Sequence, residues 1–124
     1  MSALPTARIA QGFRFEAAHF LPNVGPDHRC RRIHGHSYKV DVVVSGPIEA
    51  DSGWVVDFYD VEAAFAPLMD VLDHHLLNEV AGLENPTAEH IALWIWARLD
   101  PVLQGSTGRG KKRFGPALLL PSEK

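Results

Sequence analysis

His34-Gly35-His36-Ser37-Tyr38-Lys39-Val40-Asp41-Val42-Val43-Val44 is the stretch on which the fold turns. From His36 onward, Tyr38, Val40, Val42 and Val44 share one parity, while Ser37, Lys39, Asp41 and Ser45 make the other mostly polar. Successive strand residues point to opposite faces, so the pattern predicts a half-buried strand from His36 to Val44. Gly46-Pro47 ends it, because proline donates no ladder hydrogen bond. Carried backward, the same parity puts His34 and His36 on the apolar side with Tyr38 and Val40. Two imidazoles buried unpaired are costly, and a metal ion is one way to satisfy both.

Upstream, Phe13, Phe15 and Ala17 alternate with Arg14 and Glu16, which predicts a first strand from Arg8 to Ala17 with His19 just past its end. Residues 20 to 33 hold two prolines, a glycine and several charges without periodicity, so they form a loop, and this loop carries Cys30. Downstream, Trp54-Val55-Val56 reads as a short third strand after a turn at Asp51-Ser52-Gly53, and Asp57 or Asp60 is placed to cap a helix. Apolar residues at 61, 65, 68, 72 and 76 recur at helical spacing, with a kink or break expected at Pro67. A second helix begins near Asn85-Pro86-Thr87, with Pro86 at its first position, and Ala88, Ile91, Ile95, Leu99 and Val102 form its buried face up to about Pro101.

His19, His34 and His36 supply the three protein ligands typical of an open zinc site. The competing account is that they are satisfied core histidines; the nearby cysteine favours the metal. Cys30 itself could be a fourth ligand that closes the site, a thiol base or nucleophile beside an open one, or a small buried filler. Its place between Arg29 and Arg31-Arg32 disfavours burial and stabilises a thiolate, which favours the reactive thiol. Asp73-His74-His75 falls near the end of the first helix. Helical geometry would put His75 near the Leu72 side and His74 a third of a turn away. Asp73 then either holds a histidine's tautomer for proton transfer, or the pair is simply a helix-end histidine on the dipole. Asp41, Asp57 and Glu62 read as solvated or capping residues, and Trp94 and Trp96 as core and interface aromatics.

The 124 residues are enough for one domain with a core, residues 1–124, and 46% hydrophobic with 22% charged residues is ordinary for a globular protein. A net charge of -3 gives no basic field, so nucleic acid is not expected as a partner. No run approaches a membrane span and no targeting segment is evident, so a cytoplasmic protein without membrane association is expected. A single cysteine cannot form a disulfide within the chain.

Five ordered blocks carry a resemblance. They are Phe13-x-Phe15-x-Ala-Ala-His19, Cys30-x-x-x-His34-Gly35-His36, Gly53-Trp54-Val55-Val56-Asp57-Phe58, Leu72-Asp73-His74-His75-x-Leu77-Asn78 and Asn85-Pro86-Thr87-x-Glu89. Together, over residues 8 to 100, they resemble the 6-pyruvoyl-tetrahydropterin synthase family. The three-residue interval between Cys30 and His34 is most similar to the 6-carboxy-5,6,7,8-tetrahydropterin synthase branch used in queuosine biosynthesis. The resemblance implies zinc held by His19, His34 and His36, Cys30 as the proton-abstracting base, and Asp73 with His74 assisting proton transfer. It implies cleavage of 7,8-dihydroneopterin triphosphate to 6-carboxy-5,6,7,8-tetrahydropterin with loss of acetaldehyde and triphosphate. Thr87 and Glu89 match the segment that lines the pterin pocket, and Arg29, Arg31 and Arg32 could attract the triphosphate.

The fold implied is α+β, the tunnelling fold: an antiparallel sheet with two helices packed on one face, sheets of several subunits joining into a barrel. The implied assembly is a homo-oligomer, a hexamer of two trimers. One departure stands out. The family follows its second helix with two more strands, the first bearing a glutamate that anchors the pterin. Here residues 106–124 form an atypical tail that could be disordered, with Ala117-Leu118-Leu119-Leu120 between two prolines and Glu123 as its only acidic residue. Glu123 is therefore the candidate for the anchoring carboxylate.

Overall fold

The structure, a computed structural model, describes residues 5–107, 113–114 and 118–122, with side chains to residue 103. Strand β1 (Thr6–His19) and strand β2 (His34–Pro47) form a long antiparallel hairpin. Its register runs unbroken from Thr6 opposite Pro47 to His19 opposite His34. On the other edge of β2 lie β3 (Arg113–Phe114) and β4 (Leu118–Ser122), both antiparallel to it. Leu118 to Leu120 of the C-terminal segment thus belong to the sheet, opposite Asp41 to Lys39.

Both long strands extend beyond the alternation that announced them. In β1 the odd residues turn inward, and Phe15, Ala17 and His19 are all buried. His19 is therefore the last residue of the strand and not a residue beyond it. In β2 the even residues do the same, from Tyr38 to Val44. The inward side chains meet helix α1 (Phe58–Leu72) through Val61, Phe65, Leu68 and Leu72, and helix α2 (Ala88–Thr107) through Ile91, Ile95, Leu99 and Leu103. The Phe13 and Phe65 rings stack at 4.2 Å across this seam. Burying such side chains is the main source of stability, about 1.5–3 kcal/mol for each large apolar residue.

The helical half departs from the expectations in several places. Trp54-Val55-Val56 is not a strand. The Gly53 N–H donates to the Glu49 carbonyl at 2.9 Å and the Glu49 N–H to Trp54 at 3.2 Å, which closes the segment into a turn with Gly53 at φ +77°. Val55 and Val56 are both buried, so an apolar run that fills the core from a loop looked like a strand. Pro67 does not break α1: Pro67 and the Ala63 whose carbonyl loses its donor are both exposed, and water can satisfy that carbonyl. The helix ends at Leu72, before position 76, with the Asp73 N–H donating to Met69 at 2.8 Å.

The second helix starts at Ala88, so Pro86 precedes it. Thr87 is the cap, its Oγ1 accepting the His90 N–H at 3.2 Å. It runs to Thr107 through an exposed Pro101, and its buried face continues in steps of four to Leu103, leaving Val102 exposed. No helix among the described residues is long and apolar enough to cross a membrane.

Candidate metal centre

The hairpin register builds the centre directly. His19 sits opposite His34, and Ala17 opposite His36, so three imidazoles gather at one end of the sheet on its helix-facing side. Their ligand atoms all lie within 4.8 Å of one another. The rings meet edge to face, with centroids 4.5 Å apart for His19 and His34, 4.8 Å for His34 and His36, and 5.1 Å for His19 and His36.

Two of the rings are fixed from behind. His19 Nδ1 donates to the Pro86 carbonyl at 2.8 Å and His34 Nδ1 to the Arg32 carbonyl at 2.7 Å. A carbonyl only accepts, so each Nδ1 carries the proton and each Nε2 keeps its lone pair for a cation. Burial is the main cause that lowers the pKa of His19, and the neighbouring His34 and His36 push it the same way, against the Pro86 bond. The neutral imidazole is the form that ligates. Donor type suits a divalent cation held by His19, His34 and His36, and the tautomers of His19 and His34 suit it as well.

Tyr38 forms the floor beneath two of these rings, 5.8 Å from His19 and 5.6 Å from His36, and stacks on Phe15 at 4.9 Å. It is 1% exposed, and its hydroxyl has no hydrogen-bond partner among the described residues. Burial drives its pKa far upward, so it stays neutral. The parity that places His36 on the inner face also places Tyr38 there, beneath the cluster.

Cys30 is a free, partly buried thiol and does not belong to the histidine cluster. It lies in a single 3-10 turn, Arg29–Arg31, within the loop expected to be irregular. The loop is anchored where it leaves β1: Asn78 Oδ1 accepts the Phe20 N–H at 3.0 Å and Asn78 Nδ2 donates to the Phe20 carbonyl at 2.8 Å. Of the three arginines, Arg31 is engaged with the Val24 carbonyl at 2.9 Å.

Asp73-His74-His75 follows α1 and is not helical, so the helical phase assigned to its two histidines does not apply. His74 has φ +59°, a left-handed conformation uncommon outside glycine. The segment runs beside the end of β1: Asp73 Oδ1 accepts the Glu16 N–H at 2.9 Å, the His74 N–H donates to the Glu16 carbonyl at 2.5 Å, and the Ala18 N–H to the His75 carbonyl at 3.1 Å. Asp73 Oδ2 meets His74 Nδ1 at 2.9 Å. The Glu16 amide is the leading cause, ahead of His74, that holds the Asp73 carboxyl below its ordinary pKa. The two motifs share one cavity of about 600 Å³, lined by Gly35, His36, His74 and His75.

Of the remaining candidates, Thr87 caps α2 and Glu89 lies exposed in its first turn. Their segment reaches the centre through the His19 bond to Pro86. Glu123 lies outside the described residues. The partners that fix the ligand rings, Pro86 and Arg32, act through backbone carbonyls, for which a sequence carries no side-chain signal.

A sheet with two helices on one face, carrying a cluster of three histidines of which His36 shares a cavity with His74 of the Asp-His pair, has the makings of a metal-dependent catalyst. The chain belongs to the 6-pyruvoyl tetrahydropterin synthase family, which it matches over residues 8–112. It is 43% identical to the 6-carboxy-5,6,7,8-tetrahydropterin synthase of Synechocystis sp. over 97 residues, 74% of each chain. It is 36% identical to the dihydroneopterin monophosphate aldolase of Pyrococcus furiosus over 99 residues, 80% of each. Among solved structures it is similar to the Caenorhabditis elegans 6-pyruvoyl tetrahydropterin synthase, with a TM-score of 0.77 at 21% identity, covering 99% of this chain and all of that one. At that identity the likeness bears on the fold alone, and it is that of the family.

Proposed function

We propose that this chain is a zinc-dependent lyase that converts 7,8-dihydroneopterin triphosphate to 6-carboxy-5,6,7,8-tetrahydropterin, releasing acetaldehyde and triphosphate, in queuosine biosynthesis. The observation that carries the proposal is the single cavity that brings His36, of the ligand cluster, to His74, of the Asp-His pair. Relatives named for this activity in several organisms support the choice of substrate.

Bound zinc would supply Lewis acidity to the oxygens of the substrate's side chain. The chain's own residues do the rest. Cys30, outside the ligand cluster, is the base that removes a carbon-bound proton. His74 carries protons through Nε2, because Asp73 holds its Nδ1 proton at 2.9 Å. Thr87, Glu89 and Glu123 hold the pterin. Among the described residues β2 is the only strand paired with β1, whose other edge is met by the 73–76 segment only at its end, at Glu16 and Ala18. This supports an oligomer, a hexamer of two trimers, in which a further subunit covers that edge.

The test is turnover of dihydroneopterin triphosphate by the zinc-replete chain and by Cys30→Ala. Loss of turnover with zinc retained supports the assignment of Cys30. Loss of zinc with the substitution would instead make Cys30 a ligand. Zinc and pterin binding without turnover in the unsubstituted chain would mark a non-catalytic pterin-binding homologue.

A further inference from the structure

Among the described residues the side chain of His28 makes one hydrogen bond, and that bond is to the residue read as the base. We propose that His28 is a positioning residue for Cys30; this rests on the reading of Cys30 given above. His28 Nδ1 accepts the Cys30 N–H at 3.1 Å, as the cap of the turn Arg29–Arg31. The main chain closes the same turn. The Arg31 N–H donates to the His28 carbonyl at 3.0 Å, and the His28 N–H to Gly25 at 2.9 Å. On the other side the Cys30 carbonyl accepts the Leu21 N–H at 2.8 Å, two residues beyond His19. Both backbone polar groups of Cys30 are thereby held, one by Leu21 in the segment that follows β1 and one by the imidazole of His28.

The residue type at the cap matters. Caps are ordinarily Ser, Thr, Asp or Asn, whose oxygens accept without a tautomer to choose. An imidazole accepts only through its unprotonated nitrogen, so this bond selects neutral His28 with its proton on Nε2. A proton-abstracting base must sit within hydrogen-bond reach of the proton it takes, and a displacement of about 1 Å can cost roughly 100-fold in rate. His28 touches the backbone of Cys30 and carries no proton for the reaction. Its loss therefore lowers kcat and leaves substrate binding largely intact.

The experiment compares His28→Ala, His28→Lys and His28→Asn in the zinc-loaded full chain, reading hydrogen exchange of the Cys30 amide together with kcat and KM. Ala and Lys offer no acceptor. They should speed exchange of the Cys30 amide about five-fold, the worth of one exposed hydrogen bond, and lower kcat by about ten-fold with KM within about two-fold. Asn restores an acceptor and should bring both readouts back to within about three-fold of the unsubstituted chain. Unchanged exchange in His28→Ala, or failure of Asn to restore kcat, overturns the proposal. Full turnover by Cys30→Ala would overturn the base assignment instead, while the exchange series still decides whether His28 holds Cys30.

Discussion

His19 Nδ1 donates to the Pro86 carbonyl at 2.8 Å, so the end of β1 and the entrance of α2 are joined at a metal-ligand candidate. The bond fixes the ring's tautomer and leaves Nε2 for the cation. His19→Ala should weaken zinc binding by on the order of 100-fold or more, and His19→Gln should not restore it, because the amide cannot reproduce an imidazole held from behind. Zinc titration against a competing chelator measures this, and near-native affinity in either variant would remove His19 from the ligand set.

Tyr38 gives two substitutions with opposite outcomes. Tyr38→Phe removes a buried hydroxyl that has no partner among the described residues and keeps the ring under His19 and His36. Urea unfolding of the metal-free chain should show stability equal to or above that of the unsubstituted chain, by up to about 1–3 kcal/mol, with zinc affinity retained. Tyr38→Leu removes the floor. It should cost about 2–4 kcal/mol and loosen zinc binding as well.

Asp73 links acidity to stability. Its carboxyl is held below its ordinary pKa by the Glu16 amide and His74. The folded chain therefore releases this proton more readily than the unfolded chain. The resulting stability is present above the ordinary carboxyl pKa, near about 4, and is lost as pH falls through the lower folded value. In Asp73→Asn that pH-dependent increment is absent, so the difference in stability between the two chains should shrink between about pH 5 and pH 3. Turnover at neutral pH should fall by on the order of 10²-fold or more, because the amide no longer fixes the His74 proton.

Thr87 tests whether one residue has two duties. As the cap of α2 it should cost about 1 kcal/mol when replaced by Ala, and Thr87→Ser should recover that loss. If Thr87 also lines the pterin pocket, KM rises in Thr87→Ala by more than unfolding of the variant explains. A KM that follows stability alone would leave Thr87 as a cap.

The sheet and the histidine cluster were legible for one reason: side-chain parity is rigid in a strand. Tyr38 to Val44 fixed the inward face, and His34 and His36 followed from it. His19 followed from Phe13, Phe15 and Ala17 by the same rule, although its strand was drawn two residues short. The helical half was less legible, because an apolar run such as Val55-Val56 fills a core equally well from a turn, and tertiary packing can carry a helix through a proline whose orphaned carbonyl, here that of Ala63, faces water. The geometry of Asp73 and His74 was hidden for a different reason. The left-handed His74 and the bonds to Glu16 depend on where β1 passes, and no local pattern encodes that. The same holds for β3 and β4, which the C-terminal segment forms by pairing with β2.

The most direct test of the account is the mass spectrum of the pterin formed when zinc-replete chain meets 7,8-dihydroneopterin triphosphate. The account predicts 6-carboxy-5,6,7,8-tetrahydropterin with acetaldehyde released alongside triphosphate. A 6-pyruvoyl-tetrahydropterin product would contradict the carboxy-type chemistry, and unconsumed substrate would contradict the lyase altogether.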